Sequence, residues 1–180
     1  MKKQILVNSR WLKVIRESIR FPNGKVVPDF YTVERPTYAA VVSLLNNREI
    51  ILVQQYRHGP RQTILNLPMG VIAKNEKPIA AARRELLEET GYLAKNISLI
   101  GTFQNNPAFL RLKCHLFLAQ KLTAKTKHVT DANEHTAMIR LPLEAALQKI
   151  FDGEIQDMTT VIGIFAAYMS VREKTDISRA

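Results

Sequence analysis

The chain carries a single cysteine, Cys114, among its 180 residues. That excludes an internal disulfide and suits a reducing cytoplasm. Cys114 falls in the alternating run RLKCHLFLA and reads as a packed strand residue rather than a nucleophile. Long apolar runs are missing too. The longest, Val161 to Met169, has about half the length that a membrane-spanning helix needs. The start, MKKQILVNSRW, is basic but reaches Asn8 and Arg10 too soon for a secretory leader. No repeat or low-complexity segment is visible. Acidic residues are scarce, 16 against 26 Lys and Arg, giving a net charge of +10. A basic surface concentrates anions, whether nucleotides, RNA or acidic membranes. The charges are scattered, however, with neither a Lys/Arg block nor the interleaved aromatics of a nucleic-acid groove. The balance is compatible with a phosphorylated substrate and gives only weak support for RNA.

What is present suits one well-cored domain with about thirty residues to spare. The first 36 residues read as a separate β layer. RWLKVIRESIRF alternates with period two, PNGK supplies an Asn-Gly turn, and VVPDFYTVER continues as a second strand in which Pro28 marks an edge or bend. TYAAVVSLL and EIILVQQY follow as strands around Asn46-Asn47. The second is apolar enough to be buried on both faces. TILNLPMG leads into a helix, after which ISLIGTFQNNPAF and LKCHLFLAQKL pair as strands. Residues 121–136 read as polar loop, and 143–151 and 158–172 as helices. The expected class is α+β, a mixed α/β arrangement.

The stretch from Gly70 to Tyr92, GVIAKNEKPIAAARRELLEETGY, is the most informative. Glu85, Glu88 and Glu89 stand at offsets i, i+3 and i+4 among good helix formers, so a helix aims three carboxylates at one patch. Their mutual repulsion costs roughly a few tenths of a kcal/mol per pair in an isolated helix. A cation among the oxygens relieves it, and an all-carboxylate site selects Mg2+ or Mn2+ rather than zinc. Pro78 suits the first helical turn, Gly91 a left-handed C-terminal cap, and Arg84 can reach Glu88 one turn on.

The full spacing resembles the signature of the Nudix hydrolases. Gly70, Glu76, Arg84, Glu85, Leu86, Glu88, Glu89 and Gly91 fill their positions, and Tyr92 puts an aromatic where an aliphatic residue is usual. With seven identities, a chance match is on the order of one in a billion per start position. The resemblance implies a Nudix-type α/β/α sandwich over residues 37–180, with an added N-terminal β layer over residues 1–36 that serves dimerisation. DFYTVERP, ILVQQYRHGPR, LPMG and LPLEAALQKIFDGEIQDMTTVIGIFAA further resemble the ADP-ribose pyrophosphatase group. Pro107, sixteen residues after Gly91, sits near the spacing associated with that substrate.

The resemblance implies hydrolysis of a pyrophosphate that joins a nucleoside diphosphate to another group, with Mg2+ as cofactor and Mn2+ as a possible substitute. Glu85, Glu88, Glu89 and the carbonyl of Met69 would be the metal ligands. Arg84 would hold the carboxylates, and Glu76 would have a mainly structural role. Glu88 would be catalytic, since a carboxylate can collect the proton of the attacking water, and a loop acid, Glu134 with Asp131 as its competitor, would be the family's catalytic or metal-binding glutamate. Arg57 and Arg35 would contact the diphosphate, since a guanidinium fork pairs with phosphate oxygens bidentately. Phe30 or Tyr31 would stack on the base, from the second subunit of a homodimer in one arrangement. Three departures affect the sugar side: Asn66 stands where the group usually has glutamate, Met69 where it has alanine, and Ala108-Phe109-Leu110 follow Pro107. Asparagine still bonds a sugar hydroxyl but without charge assistance. The expectation is therefore a cytoplasmic pyrophosphatase of ADP-ribose or related nucleoside diphosphate sugars. The alternatives are an RNA 5′-pyrophosphohydrolase and a non-catalytic nucleotide sensor.

Overall fold

The computed structural model describes residues 3–46, 48–125 and 136–177, and the chain folds as two compact units. The first takes residues 1–37 and 102–114, the second residues 38–101 and 115–180.

The first unit holds a four-stranded sheet in the order β1-β2-β3-β9: β1 (Lys3–Asn8), β2 (Lys13–Arg20), β3 (Val26–Glu34) and β9 (Leu110–Arg111). The hairpin between β2 and β3 turns at Asn23-Gly24, where Gly24 adopts φ 84° and Asn23 Oδ1 accepts from Lys25 N–H at 3.0 Å. Among the described residues, β9 pairs with Val33 and Glu34 alone, so β3 has no strand partner on that side at Pro28, which has no N–H to offer. Alternation along β3 puts Phe30 opposite Glu17 and Tyr31 opposite Arg16, so the two rings face opposite sides of the sheet. A cross-strand ion cluster ties one side together. Arg111 donates to Glu34 at 2.7 Å and to Glu17 at 3.1 Å, and Lys13 Nζ lies 3.2 Å from Glu34. β1 itself is exposed along its whole length, including Ile5, Leu6 and Val7.

The second unit is built on a seven-stranded sheet whose main path runs β11-β5-β4-β10-β8. Its strands are β4 (Tyr38–Leu44), β5 (Glu49–Arg57), β11 (Thr136–Pro142) and most of β8 (Tyr92–Gln104) and β10 (Lys113–Ala124), whose residues 102–104 and 113–114 are counted with the first unit. Two short strands, β6 (Gln62–Asn66) and β7 (Met69–Val71), branch onto β5 and β4. Ile50 to Val53 on β5 are buried without a break, as expected for a strand covered on both faces.

Strand alternation sorts the sheet's side chains onto two helical layers. Ala39 and Val41 of β4 and Phe117 and Ala119 of β10 pack with Ala81, Ala82 and Leu86 of helix α1 (Pro78–Thr90). Val42 and Leu116, offset by one residue, point the other way, toward Gly163 of helix α3 (Met158–Ile177). Helix α2 (Leu143–Phe151) follows directly on β11. This is the expected α/β/α sandwich. Two strands go beyond the sequence pattern. β1 lies inside the expected β layer but in a stretch marked only by its basic charge, and the stretch expected to be polar loop, 121–136, is corrected at both ends, where β10 runs on to Ala124 and β11 begins at Thr136.

Candidate active site

Helix α1 starts with Pro78 in its first turn and ends at Gly91, whose φ of 73° is the left-handed cap and whose N–H bonds Leu87 O at 2.8 Å. Its buried side consists of Ala81, Ala82, Glu85, Leu86 and Thr90. Glu85 thus sits on the inward stripe of the helix, only 8% exposed. Burial pushes its carboxyl above the usual carboxylate range, and the charges of Glu88 and Glu76 add to the rise; Arg84 opposes it. Room for this carboxylate comes from Gly70, since a Cβ at that position would land on the Glu85 carboxylate.

Arg84 is the hub of the cluster. Its Nη1 donates to Glu85 at 2.6 Å and to Glu88 at 2.9 Å. Its Nε donates to Glu76 Oε1 at 3.0 Å, and Nη2 to Glu76 Oε2 and to the Val71 carbonyl, each at 3.1 Å. Glu76 also accepts from Ala73 N–H at 2.8 Å. Hydrogen bonding to Arg84 first, and to Ala73 second, holds the Glu76 carboxyl below its ordinary range, and Glu76 in turn raises Arg84 further above its own. Glu76 therefore closes the loop before the helix by clamping both Ala73 and Arg84.

Glu89 reaches the other end of the short strand, its Oε2 accepting from Met69 N–H at 3.0 Å. Glu85 and Glu89 thus converge on the backbone of residues 69 and 70, while Glu88 is exposed at the rim. Among the described residues, no three His, Cys, Asp or Glu side chains are grouped to hold a metal ion, and Arg84 and Met69 N–H engage these carboxylates. The donor set itself suits a divalent cation. It is all oxygen, one member is buried with its ionised form disfavoured, and a glycine keeps the approach to that member open.

The remaining expected site residues are spread between the two units. Arg57, half-buried, ends β5 opposite Gln62 in the second unit. Asn66 is 2% exposed, with Nδ2 donating to the Ile64 carbonyl at 3.2 Å, so it forms wall rather than open surface. Arg35, Phe30 and Tyr31 belong to the first unit, where Arg35 and Tyr31 are exposed and Phe30 is half-buried. Glu134 and Asp131 lie outside the described residues. Tyr92 is half-buried against the α1 cluster, and its hydroxyl accepts from Arg140 of β11 at 3.3 Å. That bond gives the aromatic at this signature position a use an aliphatic residue could not have.

Sequence reading does not bring out the supports behind residues 67–69. Thr160 Oγ1 accepts from Leu67 N–H at 3.0 Å, Val41 N–H donates to Pro68 O at 2.9 Å, and the hydroxyls of Tyr38 and Thr159 lie 2.7 Å apart. An acid, Asp157, one residue before an apolar helix is the available signal.

Comparison with known proteins identifies the family. The NUDIX domain family model matches residues 34–160. The chain is 32% identical to the ADP-ribose pyrophosphatase of Bacillus subtilis (strain 168) over 172 residues, 95% of this chain and 91% of that protein. It is also 32% identical to the methanol dehydrogenase activator of Bacillus methanolicus over 174 residues, 96% and 92% of the two chains. In structure, it is similar to the crystal structure of an ADP compounds hydrolase, with a TM-score of 0.83 over 97% of this chain and 94% of that one, at 21% identity. The family model, matching well over half of the chain, places it in the Nudix family.

Proposed function

We propose that this Nudix protein hydrolyses the pyrophosphate bond of ADP-ribose or a related nucleoside diphosphate sugar, giving a nucleoside monophosphate and a sugar phosphate. The observation that carries the reading is Glu85, buried on the inward face of α1 against Gly70 and flanked by Glu88 and Glu89. The similarity to an ADP-ribose pyrophosphatase over 95% of the chain supports the substrate class.

In this reading Glu85, Glu88, Glu89 and the Met69 carbonyl would hold Mg2+, with Mn2+ as a substitute. The cation would neutralise the diphosphate and ease deprotonation of water. The chain's own groups do the rest. Arg84 sets the rotamers of Glu85 and Glu88 by bonding both from one nitrogen. Arg57 offers a forked donor to a diphosphate oxygen pair. Glu134 takes the proton of the attacking water as it adds to phosphorus, and the leaving phosphate departs with the bridging oxygen. Tyr31 exposes more ring than Phe30, which suits it better to stacking on a base. Arg35 is a further anion contact.

The exposed apolar run Ile5 to Val7 on β1, with Trp11 58% exposed beside it, supports a homodimer formed through the N-terminal layer. The lone, buried Cys114 is compatible with a cytoplasmic setting. No helix among the described residues is long and apolar enough to cross a membrane.

The test is turnover against ADP-ribose, GDP-mannose, UDP-glucose, NADH, diadenosine polyphosphates and triphosphorylated RNA, with Mg2+ and then EDTA. EDTA-sensitive preference for ADP-ribose or a nucleotide sugar supports the proposal; activity confined to RNA, or none, overturns it. The equal similarity to a methanol dehydrogenase activator favours a second reading, in which the chain raises the rate of an alcohol dehydrogenase. Adding the chain to such a dehydrogenase, with and without EDTA, checks that reading directly.

A further inference from the structure

We infer that Thr160 is a positioning residue for the carboxylate site, acting from the far side of the sheet through the backbone of residues 67–69. Thr160 is fully buried in the first turn of α3. Its hydroxyl donates to Asp157 Oδ2 at 2.7 Å and accepts from Leu67 N–H at 3.0 Å, while its own N–H donates to the same Asp157 oxygen at 2.8 Å. The hydroxyl's single proton is thereby committed to Asp157, which leaves its lone pair facing Leu67 and fixes the bond's direction.

One turn along the helix, Gly163 lets the same face approach closely. A Cβ there would come within 2.5 Å of Leu67 Cδ1 and 2.9 Å of Val42 Cγ2. The Leu67 main chain is tied by Thr160, its side chain is pressed by Gly163, and Pro68 O receives Val41 N–H. The next residue, Met69, donates its N–H to Glu89 at 3.0 Å, and the one after, Gly70, abuts Glu85. Two carboxylates of the site are therefore set by a backbone segment whose placement α3 governs. Groups that orient ligands in this way commonly alter metal affinity by about 10–100-fold when removed.

The inference rests on the proposed cation reading, and the experiment separates the two. Mn2+ binding to the full chain without substrate is titrated by EPR, alongside thermal unfolding, for the parent, Thr160→Val, Thr160→Ser and Asp157→Ala. Valine keeps the shape of threonine but removes the hydroxyl; serine keeps the hydroxyl. The expected result is roughly tenfold weaker Mn2+ binding in Thr160→Val, recovery in Thr160→Ser, and an intermediate loss in Asp157→Ala. Asp157→Ala also carries the test if the valine variant fails to fold, since a long helix tolerates a lost cap. Parent-like affinity in the folded variants, even with a lowered unfolding temperature, would reduce Thr160 to a satisfied core hydroxyl and overturn the inference. A parent that binds no Mn2+ would overturn the cation reading and this inference with it.

Discussion

The carboxylate of Glu85 occupies the space that a Cβ on Gly70 would fill. A helix residue and a strand residue fifteen positions apart are thus mutually exclusive in size. The contact explains why a glycine is needed here although its backbone lies outside the left-handed region. Gly70→Ala should fold, because the obstructed group is the end of a flexible side chain. It should displace Glu85, however, and a misplacement of this size commonly costs on the order of 100-fold in rate. Circular dichroism and kcat/KM on the preferred substrate read the two effects separately.

Arg84 joins Glu76, Glu85, Glu88 and the Val71 carbonyl. Arg84→Met leaves those acceptors without their cation, and the half-buried setting discounts the cost to about 2 kcal/mol of stability. Arg84→Lys restores the charge without the fork and should recover only part of it. Urea unfolding of the three proteins gives the ordering, and equal midpoints would contradict the role of the fork.

Glu89 receives Met69 N–H through one oxygen, and an amide oxygen can accept the same bond. Glu89→Gln should therefore keep the parent's unfolding temperature while losing most Mg2+-dependent turnover. Near-normal activity would remove Glu89 from the proposed ligand set.

In the first unit, hydrogen bonds from Arg111 and then Lys13 hold the Glu34 carboxyl below its ordinary value of 4.5. A depressed folded-state pKa stabilises the fold fully above the unfolded value and loses that contribution as pH falls through the folded one. Glu34→Gln should consequently be less stable than the parent near neutrality. The gap should begin to close as pH drops below about 4.5 and vanish once pH has fallen through the lower folded-state value, where Glu34 is protonated in both states. Denaturant midpoints at a series of pH values follow the gap, and one that stays constant into acid would refute the linkage.

The signature helix was legible because its information is local. Pro78, the alanines and Gly91 all act within a few turns of chain, and each took the place expected of it, whereas Glu85, Glu88 and Glu89 share the helix but not one grouped patch. β4, β5 and β10 were legible for a similar reason, since burial on both faces or on alternate positions leaves a pattern in the residues. β1 left none because its side chains are exposed on both sides, and β11 draws its identity from pairing with β5 rather than from its own composition.

Residue type and short spacing were enough to point to the family and the loop–helix motif. Tertiary structure alone decided which carboxylate is buried against Gly70, which meets Arg84 and which meets Met69 N–H. It also decided that Thr160, ninety-three residues from Leu67, supports that strand from the opposite layer. Such relationships arise from packing two helices on alternate faces of one sheet, where contact is set by strand parity and layer, not by distance along the chain.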